Sequence, residues 1–283
     1  MRKTCILTDS AALLDIEWAR AHGVTVLRHQ VRRAGRVAIE GEQPYPGLAR
    51  EHDDGVVEPP PQAEVDACIA RLARDADTLV AILSSARVTG IVPRVRTACG
   101  PWLGSRAVTL IDTQHIGLGV EFLVRAAAEL AEQGADGRAI ADRLRGLRHR
   151  VYASFASDDH SALTRAGVLR PAQGVLARKL GVVPIITLED GRLAATEKVR
   201  SMDRAMERLR DFGAEFEAFE EAVVVHAAEV PDARARSLVR LLQAAVPFGA
   251  DARLRPAGYH LSEALGPAGV GLMIYSSRTV SPS

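Results

Sequence analysis

Apolar runs of strand length alternate with longer amphipathic stretches in the first half of the chain. The runs that have the length of buried strands are residues 4–8, 79–83 and 108–111. Between the first two runs, Val65, Ile69 and Leu72 recur at helical spacing. This alternation of strands and helices predicts an α/β fold over residues 1–150, a doubly wound parallel sheet with helices on both faces.

The other elements of the first half are predicted from periodicity and from stop signals. We predict helices over 14–22, 90–99, 119–133 and 140–147, and strand-like segments over 24–32 and 36–40. The segment 53–62 contains Gly55 and the three prolines Pro59–Pro61. Because proline has no backbone N–H to donate, this segment is predicted to be a loop.

The second half, residues 151–283, has a different pattern. Two strand-like runs, 182–188 and 193–199, flank Asp190-Gly191, which is a strong hairpin signal. Strands are also predicted over 151–155, 222–227 and 270–275, helices over 202–217 and 232–245, and short helical pieces over 159–181, broken at Gly167, Pro171, Gly174 and Gly181. A hairpin combined with helices predicts a second, smaller α+β domain with a mixed sheet.

Composition and charge narrow the class of protein. The chain has 283 residues, 47% hydrophobic and 25% charged, a balance typical of globular proteins. Its formal net charge of +1 leaves no electrostatic footprint for nucleic acid. Cys5, Cys68 and Cys99 form no CxxC, so neither disulfides nor a zinc site are predicted. No stretch is apolar for long enough to be a signal peptide or a membrane span, and we expect a cytoplasmic protein.

Polar clusters follow three of the predicted strands. They are Thr8-Asp9-Ser10, Ser84-Ser85 through Thr89-Gly90, and Asp112-Thr113. Ligands of open parallel sheets lie outside the carboxyl ends of the strands, so three clusters at one edge favour a binding site. Helix capping would explain any one of them taken alone.

The second cluster is the most informative about ligand chemistry. A turn rich in hydroxyls that leads to Gly90 and a helix start could bind an anion through side chains and backbone N–H groups. No GxxxxGK[ST] occurs, which excludes a P-loop kinase. Phe122 stands where a dinucleotide fingerprint starting at Gly117 would need its third glycine. We therefore predict no cofactor and no metal.

Several short motifs occur together in a specific order. They are Thr8-Asp9-Ser10, Ser84-Ser85 with Thr89-Gly90-Ile91, Asp112-Thr113, Val183-Pro184 before the apolar run 185–188, Asp190-Gly191, and Lys198-Val199-Arg200. Over nearly the whole length the chain resembles the DegV family, the fatty-acid-binding partners of bacterial fatty acid kinase, as a divergent member. None of these motifs is specific alone, but their order is.

The resemblance implies that the chain binds a long-chain fatty acid between its two domains and presents the carboxylate to a fatty acid kinase. The residues implied to bind the carboxylate are Ser84, Ser85, Thr89 and His260, with Asp9 and Ser10 at the pocket edge. Arg200, with Lys198, is implied to contact the kinase partner or the acyl-phosphate. Candidates for the wall of an apolar tunnel are Leu163, Val168, Leu169, Leu176 and Ile185, although each could equally fill the core of the second domain.

The chain departs from the family's pattern at several positions. Val57 stands where the family has a carboxylate-binding threonine, and Val168 where it has an arginine. The turn after Ser84-Ser85 holds one additional residue, and the late His-x-Gly-Pro-Gly motif is interrupted after His260-Leu261 and resumes at Gly266. These departures indicate a head-group site that is partly rebuilt.

Two other classes of function stay open at this point. One is a phosphotransferase or hydrolase that acts on a small substrate at the same strand ends. Ser85, His260 and Asp9 could form a hydrolase triad, but no GxSxG elbow supports it. The other is a carrier of a smaller organic acid. His115 and His160 are expected to be solvated loop residues.

Overall fold

The structure is a computed structural model that describes residues 4–33, 35–42, 56–103, 107–216, 219–227, 233–245 and 252–277. These residues fall into two compact units, one that ends at His149 and one that begins at Arg150. Each unit has its own sheets and its own hydrophobic core.

The first unit is built on a four-stranded parallel sheet. The unit has seven described strands, of which four form this sheet and three form a smaller one. They are β1 (Thr4–Asp9), β2 (Val24–Leu27), β3 (Gln30–Arg33), β4 (Arg36–Ile39), β5 (Val56–Glu58), β6 (Thr78–Leu83) and β7 (Ala107–Asp112). Its helices are α1 (Ile16–Ala21), α2 (Gln62–Asp75), α3 (Ile91–Cys99), α4 (Leu118–Glu132) and α5 (Gly137–Leu147). The order of the parallel sheet is β2-β1-β6-β7, which places β1 and β6 at its centre.

Both faces of this sheet are covered by helices. Leu7, Leu79 and Leu83 belong to one apolar cluster with residues of α2 and α3. Because strand side chains alternate between faces, Ile6, Val80 and their neighbours point to the opposite side, where α4 and α5 pack on β1 and β6. The predicted doubly wound parallel sheet is confirmed.

The segment predicted as one strand over 24–32 forms two strands in different sheets. β2 joins the parallel sheet, whereas β3 joins a small antiparallel sheet of order β4-β3-β5. The chain changes sheets at Arg28 and His29, and the side chain of His29 is buried. The prediction of a loop over 53–62 was wrong for β5, whose three residues pair with β3 before the prolines begin.

The second unit is built on a six-stranded mixed sheet. Its strands are β8 (Val151–Ala156), β9 (Val183–Glu189), β10 (Arg192–Val199), β11 (Phe219–His226), β12 (Arg253–Pro256) and β13 (Val270–Ser276). Its helices are α6 (His160–Arg165), α7 (Pro171–Leu180), α8 (Met202–Ala214), α9 (Ala233–Ala245) and α10 (Gly258–Leu265). The order is β10-β9-β8-β13-β11-β12, and only the β11–β12 pair is parallel within this sheet.

The predicted fold class is confirmed, although this six-stranded sheet is larger than the parallel sheet of the first unit. The predicted hairpin is β9–β10, and its turn residues Asp190 and Gly191 both have positive φ, 45° and 78°. Gly174 does not break a helix, as the sequence suggested, but lies buried inside α7. A Cβ at Gly174 would lie 2.2 Å from Thr164 Oγ1, so this glycine is the contact point at which α7 packs against α6.

Candidate functional site

The carboxyl ends of β1, β6 and β7 lie side by side at one edge of the parallel sheet. Leu83 pairs with Asp112, and β1 runs along the other side of β6. Hydrogen bonds join the residues that follow these strands: the Ser84 amide donates to Asp9, and the Ala86 amide donates to Asp112 at 3.4 Å. The structure thus brings together the three polar clusters found in the sequence.

Asp9 bonds to several residues of this edge. Its side chain is fully buried, and its carboxylate accepts the Ser84 amide at 2.8 Å and the Ser84 hydroxyl at 2.7 Å. His29 Nε2 lies 3.1 Å from the same carboxylate. Because a serine hydroxyl has one proton, Ser84 donates it to Asp9 and presents only lone pairs in other directions.

His29 is a site residue that the sequence reasoning missed. Burial alone would lower its pKa, but the hydrogen bond and charge of Asp9, the charge of Glu40 and a hydrogen bond to the Glu58 backbone carbonyl together raise it above the ordinary value. Burial would likewise raise the pKa of Asp9, but the bonds and charge of His29 and the bonds from Ser84 lower it. Both shifts favour the same state of the pair, an imidazolium facing a carboxylate.

Ser10 and Glu40 extend this buried network. The Ser10 hydroxyl donates to Glu40 Oε2 at 2.7 Å and accepts the backbone N–H of His29 at 2.9 Å. Ser10 and Glu40 are both buried. Asp9 and Ser10, predicted at a pocket edge, thus connect the strand ends to β4 and to the segment that leads into β3.

The turn from Ser84 to Gly90 is held by its own backbone and by its hydroxyls. Ser85, which is 1% exposed, accepts the Arg87 amide on its hydroxyl at 3.2 Å. Thr89, which is 3% exposed, donates its hydroxyl to the Ser85 carbonyl at 3.1 Å. Gly90 is the N-cap of α3, with φ of 67°, and supplies no capping side chain. The first N–H groups of α3 are thus available to an anion.

Two histidines expected to be solvated are held inside the protein instead. His115 Nε2 lies 2.8 Å from the Arg148 carbonyl, so the proton is on Nε2 and Nδ1 carries a lone pair. Burial lowers the pKa of His115 to about 4, and its buried Nδ1 has no hydrogen-bond partner within the described part of the chain. His160, the first residue of α6, is buried with Nε2 2.7 Å from the Val182 carbonyl.

The other predicted site residues lie on the second unit. His260 is buried in the first turn of α10. The helix ends at Gly266, where φ is 71° and a Cβ would lie 2.4 Å from Asp159 Oδ2, so glycine is required. Lys198 is exposed near the end of β10, and Arg200 is exposed just after that strand.

An apolar groove lies between α7 and the β9–β10 hairpin of the second unit. Its volume is about 370 Å³, and its lining includes Leu169, Leu176, Leu180, Val182, Pro184 and Lys198. Leu169 and Leu176 are two of the five residues predicted to line a tunnel. Leu163 and Ile185 instead lie in the buried interior, and Val168 is half-buried outside the groove lining.

The two substituted family positions are both half-buried valines. Val57 is half-buried in the middle of β5 and pairs with Val31 of β3. Val168 follows α6, and its amide donates to the Leu163 carbonyl at 2.9 Å. Among the residues described, no group of three or more His, Cys, Asp or Glu side chains is placed to hold a metal ion. In the same part of the chain, no helix is long and apolar enough to cross a membrane.

The model of the family described as "Uncharacterised protein, DegV family" matches residues 3–277. The chain belongs to the DegV family. A DegV domain-containing protein of Streptomyces coelicolor is 29% identical over 97% of this chain and 99% of its own length. One from Halalkalibacterium halodurans is 30% identical over 76% of this chain and 78% of its own length.

Solved DegV structures have the same fold. A fatty-acid-binding DegV protein of Streptococcus agalactiae superposes with a TM-score of 0.85 at 20% identity, covering 98% of this chain and 100% of its own. One from Thermus thermophilus, also described by its fatty acid binding, gives 0.81 at 23% identity over 98% and 100%. A third, from Eubacterium eligens and loaded with heptadecanoic acid, gives 0.78 at 15% over 97% and 100%.

Proposed function

We propose that this DegV protein binds a long-chain fatty acid without transforming it and presents the carboxylate to a fatty acid kinase. The observation that carries the proposal is the turn from Ser84 to Gly90, in which Ser84, Ser85 and Thr89 are buried. It carries these hydroxyls at the carboxyl end of a parallel sheet and leads into α3, whose first N–H groups have no side-chain cap. Such a site suits a carboxylate, which needs several hydrogen-bond donors when it leaves water. His260 completes the proposed set of head-group residues.

The apolar groove of the second unit supports a ligand with a long alkyl chain. Its volume of about 370 Å³ is in the range of small-molecule sites. Each methylene buried there would contribute about 0.8 kcal/mol. Relatives that are described as binding fatty acids, one of them loaded with heptadecanoic acid, support the same class of ligand.

The order of contacts at Asp9 argues against a hydrolase. In a catalytic triad the histidine lies between the serine and the carboxylate and removes the serine proton. Here Ser84 and His29 both bond directly to the Asp9 carboxylate. The Ser84 hydroxyl therefore donates its proton to a carboxylate, and no histidine lies between them to activate the serine as a nucleophile. The Asp9 carboxylate is bonded to Ser84 and His29 and is not placed to orient a histidine that activates a serine.

A carrier of a smaller organic acid is the second candidate. It is favoured by Val57 and Val168, which supply no hydroxyl and no guanidinium where the family has them. The three cysteines, widely spaced and without a CxxC, support action in a reducing compartment, the cytoplasm, for either carrier.

Extraction of the purified protein followed by mass spectrometry tests the ligand class. We expect a co-purifying long-chain fatty acid; a short acid would support the second candidate, and turnover by ligand-free protein would support an enzyme. Replacing Ser84, Ser85 and Thr89 together by Ala should weaken fatty acid binding by about 1–3 kcal/mol. Thr97→Ala, which removes an exposed hydroxyl of α3, is the matched control. Equal affinity of the triple variant and the control would contradict the assignment.

The kinase contact is tested separately. Lys198 and Arg200 are exposed basic residues, which suits a contact with a partner or with an acyl-phosphate. We expect Arg200→Ala to slow phosphorylation of the bound acid by a fatty acid kinase and to leave the affinity for the acid unchanged. An unchanged rate of phosphorylation, measured with purified kinase, would remove Arg200 from the proposal.

A further inference from the structure

A chain of buried charges lies behind the Ser84 turn. His29 is fully buried between Asp9, at the end of β1, and the backbone carbonyl of Glu58, at the end of β5. Glu40, which follows β4, contributes a second negative charge on the other side of Ser10. The proposed head-group turn is thus connected through Asp9 and His29 to the small sheet β4-β3-β5.

The acceptors around His29 determine its protonation state. A carboxylate and a backbone carbonyl can only accept hydrogen bonds, so both favour a protonated ring nitrogen opposite them. Only the imidazolium has two N–H groups. The negative charges of Asp9 and Glu40 favour the same form.

We propose that His29 is a positioning residue of the head-group site: its imidazolium holds the Asp9 carboxylate where it accepts both the amide and the hydroxyl of Ser84. This inference rests on the proposed function, because it assigns His29 a role at the same site. The ionised carboxylate takes the only proton of the Ser84 hydroxyl. His29 thereby sets which way that proton points.

The consequence for the ligand concerns the polarity of Ser84. With its proton on Asp9, the Ser84 oxygen accepts hydrogen bonds and does not donate to an anion. A bound carboxylate takes its donors from the rest of the turn and from the start of α3, and Ser84 receives a proton only from a protonated head group. Loss of the His29 charge weakens the hold on Asp9 and therefore on the Ser84 amide, so the turn that carries the donors for the ligand is less firmly placed and binds the carboxylate less tightly.

The first experiment uses ligand-free protein. Nitrogen-15 NMR of the His29 ring should show both nitrogens protonated at neutral pH. The amide resonance of Ser84, which donates to Asp9, should shift with the same midpoint as the His29 ring and should lose that step in His29→Leu. His22→Leu removes another His–acid pair of the same unit, His22 with Glu132, and should leave the Ser84 step unchanged. A neutral His29 ring at neutral pH, or a Ser84 amide resonance that does not shift when His29 titrates, would overturn the inference.

The second experiment measures affinity for a long-chain fatty acid such as palmitate, on folded protein below the melting temperature. We expect His29→Leu to weaken binding about tenfold or more, the scale of one hydrogen bond to a charged group. His29→Gln, whose amide still donates to Asp9 but has no charge, should restore part of the affinity without restoring its dependence on pH. In a double-mutant cycle, His29→Leu combined with Ser84→Ala should weaken binding no more than the stronger single change.

The two proposals fail in different ways. Fatty acid binding with additive effects in the cycle would overturn the positioning role and keep the proposed function. The protein could instead bind no fatty acid while the Ser84 amide resonance still shifts with the titration of His29. That result would overturn the proposed function and keep the positioning role of His29 toward Ser84.

Discussion

Identical side chains have opposite titration behaviour in this protein because their neighbours differ. His29 faces a carboxylate and a carbonyl acceptor, which raise its pKa. His115 is half-buried with Nε2 at the Arg148 carbonyl, and loss of solvent around its ring lowers its pKa to about 4. The surroundings of His29 thus favour its charged form, and those of His115 favour its neutral form. Both belong to the first unit, so its stability should depend on pH on either side of the ordinary histidine pKa.

The first prediction concerns alkaline pH. The pKa of His29 is raised in the folded state above its ordinary value of 6.5, so its contribution to stability is fully present below about that pH. It is lost as the pH rises through the folded pKa, where the imidazolium releases its proton. The free energy of unfolding, measured by urea titration, should fall over this range in the wild type. An identical fall in His29→Leu would contradict the assignment.

The second prediction concerns acidic pH. The unfolded chain protonates His115 near pH 6.5, whereas the folded protein does so near pH 4. The unfolded state therefore binds the proton first, and stability falls by roughly 3 kcal/mol as the pH falls across this window. Below the window this contribution stays constant. The variant His115→Gln should lack this acid-side loss in urea titrations at a series of pH values, and a slope equal to that of the wild type would refute the role of His115.

Single residues at strand ends were easier to predict than their partners. Asp9 and Ser84 were found because a polar residue after an apolar run marks a strand end. His29 was missed because it lies inside a segment of strand-like residues, and its partner Asp9 is twenty positions earlier. The contact forms only because the chain leaves the parallel sheet after β2 and turns into β3, a change of sheet that no local pattern announces.

Elements with strong local signals were predicted within a few residues. The β9–β10 hairpin follows from Asp190-Gly191, whose left-handed conformations match a tight two-residue turn. The short elements β5, β12 and α10 were missed, because three to eight residues do not establish a period. Gly174 was misread for a different reason: glycine is a poor helix former, and its place inside α7 follows from the close approach of Thr164.

The third prediction tests that close approach. Gly174→Ala should destabilise the protein by about 1–3 kcal/mol, because the new Cβ would overlap Thr164 Oγ1. Adding Thr164→Ala removes that oxygen and should recover much of the loss. Gly146→Ala is the matched control in α5, where no atom lies within 4 Å of the added Cβ, and it should stabilise by up to about 1 kcal/mol. Equal effects of the two Gly→Ala changes in thermal melting would contradict this account.

At the scale of the whole molecule, family membership and fold agree over nearly the full chain. The turn proposed to bind the head group belongs to the first unit and the apolar groove to the second, and each is built from residues of that unit alone. The order of motifs along the sequence predicted this family, because each motif begins or ends a strand or forms a turn that the fold requires. The groove could not be predicted with the same accuracy. Leu169 and Leu163 have the same side chain, and only the tertiary packing decides that Leu169 lines the groove and Leu163 lies in the interior.

The last prediction tests whether the groove holds an alkyl chain. Delipidated protein should gain about 2.7 kcal/mol of unfolding free energy at a fatty acid concentration one hundred times the Kd. The gain at a fixed concentration should increase with chain length, since each further methylene buries apolar surface. Leu176→Asp places a charge in the groove and should abolish most of the gain, whereas Val175→Asp, on the same helix, exposed and outside the groove lining, should not.

Thermal melting with acids of increasing chain length is the measurement. A rise that depends on chain length and disappears in Leu176→Asp assigns the groove to the alkyl chain. A rise that depends on chain length but survives in Leu176→Asp places the chain elsewhere in the protein, because a charge beside buried methylenes could not be tolerated. A rise of equal size for short and long acids would instead favour the carrier of a smaller acid, since a head group without a buried tail gains nothing from added methylenes. No rise with any acid would contradict fatty acid binding by this chain.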